Sequence, residues 1–340
     1  MSVVIALDGM GGDHAPGVVV EGALAAAREY GYRLLLVGRE ELLVREIDRR
    51  APDSAIADKL AVIDAPDVIE MNESPVVALR RKKHSSIRVA CQMVREGRAQ
   101  AVVSAGNTGA VMVTAKVVMG TLEGIDRPAV MAVLPNLKGL SVWLDVGATI
   151  APRAEHMVQF AVMGQIYARE ILGIANPRVG ILSIGEEDTK GNAVTKETLA
   201  QLKQSSTNCI GNIEGRDIFN GNADVIVSDG FTGNISLKAI ESVAEMLATM
   251  LGQEIRATWR SRVGYFLARG AFARFKKRID YAEYGGLLLL GVRGCAIICH
   301  GRSSAKAIKN AVKAAAGVVE GRVDARIREA MNQRRQLQPI

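Results

Sequence analysis

The sequence predicts a doubly wound α/β fold: one Rossmann-like sheet with a protruding helical insertion. Two observations carry that expectation. Short apolar runs recur along the chain, each ending in a glycine-containing polar turn that leads into a helical pattern, as parallel strands with crossover helices require. The core composition agrees, since 49% of residues are hydrophobic but only 4% are aromatic, leaving alanine, valine and glycine to fill the interior. With 340 residues and no Pro-, Gly- or Ser-rich linker, the chain reads as a single α/β domain over 1–340.

The first unit is VVIALDGMGGDHAP, a strand at Val3–Leu7, a glycine-rich turn and a helix that Pro16 opens and Gly31 stops. The turn fails the dinucleotide fingerprint G-x-G-x-x-G: Gly9 and Gly11 fit, but His14 holds the third glycine position. Asp8, Asp13 and His14 suit either a site or turn chemistry. Strand Arg33–Val37, a helix at Glu40–Arg50 and strand Leu60–Asp64 follow. The stretch Asn72–Arg88 is polar and holds four consecutive cations, Arg80 to Lys83, which fit a phosphate, an acidic protein or a solvated face. A helix runs from Ser86 to about Gly97.

An internal echo comes next. VVSAGNTG (102–109) reappears as IVSDGFTG (226–233), each an apolar strand, a short turn and Thr-Gly opening a helix. Free N–H groups at such a helix start suit an anion; Thr108 and Thr232 suit plain N-caps equally. Between the copies lie strands at 129–134 and 140–146, the loop Asp145-Val146-Gly147, and a long helix at 153–172. The stretch RVGILSIGEEDTKGN (178–192) turns from buried strand to polar loop and places Lys190 between Gly185 and the helix beginning near Val194. A lysine there suits an anion or a developing oxyanion, and equally a solvated loop with a surface lysine.

Cys295 and Cys299, two of the four cysteines, fall on one face of the strand CAIIC as small core residues, and no ligand pair has zinc-type spacing; no metal and no cofactor is expected. Met1 leads directly into a strand, and no apolar run approaches the ~20 residues of a membrane span, which predicts a cytoplasmic protein. The net charge of +7 is local: eight cations and no acid lie within Arg256–Arg278, leaving −1 for the rest. That concentration argues for one anionic partner rather than general nucleic-acid binding. The basic segment sits in an insertion at 251–277 that also carries Trp259, Phe266 and Phe272. Such a face suits an anionic membrane surface, an acidic protein, a dimer contact or an ordinary packed helical hairpin. Gly264 and Gly270 imply a broken helix there, and the tail RRQLQ reads as frayed.

Taken together, IALDGMGGDHAP (5–16), NESPVVALRRKKHSSI (72–87), VVSAGNTGA (102–110), LDVGA (144–148), GEEDTKGN (185–192), SDGFTGN (228–234) and HGRSSAKAIKNA (300–311) resemble the bacterial phosphate acyltransferase (PlsX) family of phospholipid synthesis. The resemblance implies the fold of phosphate acetyltransferases and of isocitrate and isopropylmalate dehydrogenases. It also implies transfer of a long-chain fatty acyl group from acyl carrier protein to inorganic phosphate, giving an acyl phosphate for a downstream membrane acyltransferase. A homodimer associated peripherally with the cytoplasmic membrane goes with that role. The residues it assigns to catalysis match Lys190 and Asn234; Asp8, Ser104, Asn107, Thr108 and Thr232 are added from loop chemistry as phosphate or substrate contacts. One departure is Thr149, where the family pattern often has Asn. The competing readings are a coenzyme A-dependent phosphate acetyltransferase, an oxidoreductase of the dehydrogenase fold and a non-catalytic membrane scaffold.

Overall fold

The computed structural model describes residues 3–50 and 53–337. Its centre is an eleven-stranded sheet in the order β3-β2-β1-β4-β11-β10-β5-β6-β9-β7-β8. The strands are β1 Val4–Asp8, β2 Arg33–Gly38, β3 Leu60–Asp64, β4 Ala101–Ser104, β5 Ala129–Pro135, β6 Leu140–Leu144, β7 Val179–Leu182, β8 Cys209–Ile213, β9 Val225–Val227, β10 Leu287–Leu290 and β11 Cys295–Ile298. One parallel block comprises β3, β2, β1, β4 and β11; a second comprises β6, β9, β7 and β8. Antiparallel pairings of β10 with β11 and β5, and of β5 with β6, join the blocks. The two blocks therefore run in opposite senses.

Alternation along the strands feeds two cores. Ile5, Leu7, Leu34, Leu36, Val142 and Leu144 face one layer, packed against the helices Gly17–Tyr30, Ala154–Glu170 and Ala305–Glu320. Ala6, Val37, Val102, Trp143 and Ile226 face the other, with Ser86–Arg95, Thr108–Thr114 and Leu237 of the long helix Gly230–Ala257. Buried strands covered on both faces read as continuous apolar runs, which is why most of them are visible in the sequence.

Four elements depart from the sequence expectation. The polar stretch 72–88 contains a helix, Pro75–Arg81, opened by a proline at its first turn. The run LLLL within GGLLLLG is β10, a central strand of the seam. RRQLQ is not frayed through Leu337: the helix Val323–Leu337 reaches that residue and packs Val323, Ile327 and Met331 into the first core; Gln338 lies outside the described residues. Finally, Gly264 and Gly270 do not interrupt their segment. Trp259–Ile279 is one helix, and with Gly230–Ala257 it forms a hairpin that turns at Thr258, whose Oγ1 accepts from the Ser261 N–H at 3.1 Å. A glycine costs only about 1 kcal/mol inside a helix, which weakens the segment without ending it. None of the residues of Trp259–Ile279 is buried.

Helix packs closely on sheet at Gly164, where an added Cβ would stand 2.6 Å from Val225 Cγ1 and 2.7 Å from Leu144 Cδ1. Gly164→Ala should destabilise the protein by about 1–3 kcal/mol through overpacking, read as a lower denaturant midpoint with an unchanged slope; an unchanged midpoint would show that the helix can lift off without cost.

Candidate active site

In open α/β sheets, loops at the carboxyl ends of strands form a crevice where the connection order reverses. The second block has that reversal: β7 is followed outward by β8, and the chain then returns to insert β9 between β6 and β7. Three loops meet there, after β6 (145–153), after β7 (183–192) and after β9 (228–229).

Asp145 organises the first of them. It is fully buried, and its Oδ1 accepts from the backbone N–H groups of Val130 at 2.9 Å, Gly147 at 3.1 Å and Ala148 at 2.9 Å. Oδ2 accepts from Thr149 N–H at 2.5 Å. The backbone carbonyl accepts from Ser228 Oγ at 3.0 Å, and Ser228 Oγ accepts from Trp143 Nε1 at 2.8 Å. Burial outweighs the four N–H donors and pushes the carboxyl up to about 6. The helix Gly230–Ala257 starts against this knot. A Cβ at Gly230 would stand 2.7 Å from Asp145 Oδ2, and one at Gly233 would overlap the Asp145 carbonyl. Gly147, at φ +147°, lies against Asn234, whose Oδ1 is 3.6 Å from where its Cβ would stand. Asn234 itself is exposed on the second turn of the helix.

Lys190 stands on the neighbouring loop. It is exposed, and among the described residues it has no carboxylate at ion-pair distance. Its loop is held from below: Asn212 Nδ2 donates to the Glu187 carbonyl at 2.9 Å, Lys190 N–H to the same carbonyl at 2.9 Å, and Asn192 Oδ1 caps the next helix through Thr195 N–H at 2.9 Å. Two buried atoms under it lack partners, Ser183 Oγ and Asn212 Oδ1. Gly191, at φ +95°, closes over the serine: its Cβ would stand 2.9 Å from that hydroxyl. Neither residue stands out in the sequence, because a polar residue near a strand end is ordinary.

The first block holds a second crevice, at the reversal between β1 and β4. Asp8 is buried there, and burial raises its carboxyl pKa. Ser104 Oγ donates to Asp8 Oδ2 at 2.6 Å and accepts from Gly106 N–H at 3.0 Å. The cavity left is about 10 Å³, lined by Asp8, Gly11, Ser86, Gly106 and Asn107, room for a single water. Asn107 is engaged at both ends of its amide: Oδ1 caps Ala110 N–H at 3.0 Å, and Nδ2 donates to the carbonyls of Met71 at 2.9 Å and Glu73 at 3.1 Å. The cap residues of the two echoed helices are therefore Asn107 and Asp229 rather than Thr108 and Thr232. Thr108 is exposed at the first helical position, and Thr232 donates its hydroxyl to Asp229 Oδ2 at 2.8 Å. The echo is deeper than the sequence suggests. In each block an aspartate at the end of one strand is tied to a serine at the end of its parallel neighbour, Asp8 to Ser104 and Asp145 to Ser228.

The structure thus places Lys190 on the loop after β7 and Asn234 and Thr232 on the first turns of the helix after the adjacent β9, while Asp8, Ser104, Asn107 and Thr108 lie on the other block. β4 and β9 are five positions apart, about 24 Å at ~4.8 Å per strand. Of the basic run, Lys82 is bound to Glu73 Oε1 and to the Val68 carbonyl, both at 2.5 Å, whereas Arg80, Arg81 and Lys83 are exposed. Cys295 and Cys299 pack within the first core.

Residues 3–326 match a family model described as fatty acid synthesis protein. Over 327 residues the chain is 52% identical to the phosphate acyltransferase of Pelotomaculum thermopropionicum, covering 96% of this chain and 94% of that one. The chain belongs to the phosphate acyltransferase family. A second relative, the phosphate acyltransferase of Geobacter sulfurreducens, is 49% identical over 327 residues, again 96% of this chain and 94% of the other. This acyltransferase also shares its fold with a phosphotransacetylase from Streptococcus pyogenes, at TM-score 0.62 and 17% identity over 94% of each chain. A 4-hydroxythreonine-4-phosphate dehydrogenase from Klebsiella pneumoniae follows, at TM-score 0.55 and 14% identity over 93% of this chain and 97% of that one.

The Asp145 knot makes a pH-dependent contribution with a definite sign. The folded pKa of about 6 stands above the ordinary 3.8, so the folded state holds the proton more tightly. Stability from this group is full below pH 3.8 and falls as pH rises through 6. Asp145→Asn removes the titration and leaves Thr149 N–H without its acceptor. Wild type should exceed the variant in stability at pH 4, and the gap should narrow by on the order of 3 kcal/mol by pH 7. Urea melts of both proteins at the two pH values measure it; a constant gap would refute the raised pKa.

Proposed function

We propose that this acyltransferase moves a long-chain fatty acyl group from acyl carrier protein to inorganic phosphate, releasing acyl phosphate and the carrier thiol. The observation that carries the reading is an unpaired exposed lysine, Lys190, on the loop next to a helix-borne amide, Asn234, at a strand-order reversal. A phosphate oxygen attacks the thioester carbonyl carbon, the carbonyl π pair moves to oxygen, and collapse of the tetrahedral adduct breaks the C–S bond. The thiolate leaves with the bond pair and takes a proton from solvent. Phosphate is nucleophilic at neutral pH, so the protein's task is to hold it and to stabilise the oxyanion. Lys190 meets the first need as a mobile point charge, and Asn234 Nδ2–H meets the second. Asp145 positions Asn234 through the 147–149 turn. The Asp229 carboxylate caps the helix at Thr232 N–H, 2.8 Å away, so the anion is assigned to Lys190 rather than to the helix start. No cofactor enters this scheme.

The hairpin suits attachment to an anionic membrane surface, and no helix of the described residues is long and apolar enough to cross a membrane. Trp259 is 70% exposed and Phe266 62%, each flanked by a cation: Arg260 lies 5.6 Å from the Trp259 ring centroid and Arg269 4.9 Å from that of Phe266. Phe272 is less available, being half-buried against Tyr265 at 5.0 Å between centroids. Val243, Met246, Leu247 and Met250 continue an exposed apolar stripe down the first helix, which suits pairing with a second copy. We read the protein as a cytoplasmic, peripherally bound homodimer: one α/β domain with the protruding basic and aromatic insertion at 251–277. It delivers acyl phosphate to a membrane acyltransferase, and Arg80, Arg81 and Lys83 provide a basic face for the acidic carrier.

Lys190→Ala and Asn234→Ala should each lower turnover of long-chain acyl carrier protein and phosphate by about 10²–10³-fold, measured as phosphate-dependent thiol release with trapping of acyl phosphate. Variants within twofold of wild type would remove both residues from the chemistry. Trp259→Glu combined with Phe266→Glu should abolish flotation with anionic vesicles while leaving turnover in solution intact; undiminished flotation would exclude the hairpin as the anchor.

A further inference from the structure

The elements that carry Lys190 and Asn234, and the loop after β6 beside them, also carry large exposed apolar side chains. Ile184 is 84% exposed, Ile150 70%, Phe231 57% and Ile235 53%. They belong to three different elements, yet the strand order β6-β9-β7 makes those elements neighbours. Ile184 precedes Gly185, whose missing Cβ would stand 2.9 Å from Lys190 Cγ. Ile150 follows Thr149, whose carbonyl accepts from Gly230 N–H at 2.9 Å at the helix start. Phe231, Asn234, Ile235 and Lys238 fall at i, i+3, i+4 and i+7, one exposed face of the helix. The exposed amide thus shares its helix face with Phe231 and Ile235.

We infer that Ile150, Ile184, Phe231 and Ile235 form the seat for the first methylenes of the donor's acyl chain. The inference rests on the proposed acyl transfer and names the part of the substrate that the same site selects. A fatty thioester has this pattern in miniature: a carbonyl that needs one donor and one cation, then a purely aliphatic tail. Each methylene taken out of water adds to binding, so a collar adjoining the reacting carbonyl converts chain length into affinity. Leaving four large apolar residues in water at the mouth of a polar site has a cost that such a ligand offsets. The collar is separate from the stripe on the hairpin, since Phe231 and Ile235 lie on the first two turns of the helix and Trp259 beyond its end.

The test uses two donors, acetyl and palmitoyl, on the same carrier thiol with inorganic phosphate. Ile184→Ser and Phe231→Ser should each lower kcat/KM for palmitoyl transfer at least tenfold and leave acetyl transfer within twofold of wild type. Equal losses on both donors, or no loss on either, would overturn the seat. Sedimentation of the variants as a smaller species than wild type would assign the collar to contact with a second copy instead. A palmitoyl thioester carrying a diazirine near its carbonyl provides an independent readout on the wild-type protein. Labelling of peptides that contain Ile184 or Phe231 supports the seat even if turnover with phosphate fails, and labelling confined to other regions overturns it even if turnover succeeds.

Discussion

The Asp145 carboxylate holds the second half of the molecule in working order. Four backbone N–H groups converge on it and its carbonyl takes the Ser228 hydroxyl. The strand β6 is thereby tied to β9 at the one level where the sheet gives way to loops. The start of the Gly230–Ala257 helix is a consequence of that knot, because only glycine at 230 and 233 lets the helix approach it. Asn234 inherits its position from there. An ionised carboxylate buried this deeply is costly even with four donors, and the raised pKa is the measure of how closely the elements are drawn together.

In the first block Asp8 is likewise tied to a serine at the end of the neighbouring strand, but there the Ser104 hydroxyl donates to the Asp8 carboxylate, whereas Ser228 donates to the Asp145 backbone carbonyl. The two halves differ in what surrounds the knot. Around Asp8 the donors are turned inward, with Ser104 on the carboxylate and Asn107 on backbone carbonyls. Around Asp145 the neighbouring loops carry an unpaired cation, an exposed amide and exposed apolar side chains. One half thus turns its polar groups inward and the other leaves them exposed, although the segments VVSAGNTG and IVSDGFTG read almost alike.

Much of this was legible in the chain. Strands such as Arg33–Gly38 and Leu60–Asp64 announce themselves as apolar runs, and the helix Gly17–Tyr30 carries its stop at Gly31, which is left-handed at φ 78°. Lys190 is marked by its place in a glycine-flanked polar loop after a buried strand, whereas Asn234 comes only from matching motifs to a family. What could not be read is pairing. VVSAGNTG and IVSDGFTG look equivalent, and only the order of strands separates them by five positions. The continuity of Trp259–Ile279 was misread because a glycine weakens a helix without ending it when nothing competes for its backbone. β10 was missed because four leucines have no alternation to mark them as a strand, being covered on both faces. Ser183 and Asn212 matter through the bonds they lack, and an absent partner leaves no trace in sequence.

The seam between the two blocks has a consequence for how the chain is made. β4 and β5 lie three positions apart in the finished sheet, and the strands that fill the gap, β10 and β11, are residues 287–298. A nascent chain that has reached the hairpin therefore carries two half-sheets, each with an unpaired inner edge. Such edges are templates for unwanted association, and pairing across nearly 200 residues is slow to form. Synthesis must pass residue 298 before either half can close, so both edges stay open while the whole stretch from β5 to the hairpin is made.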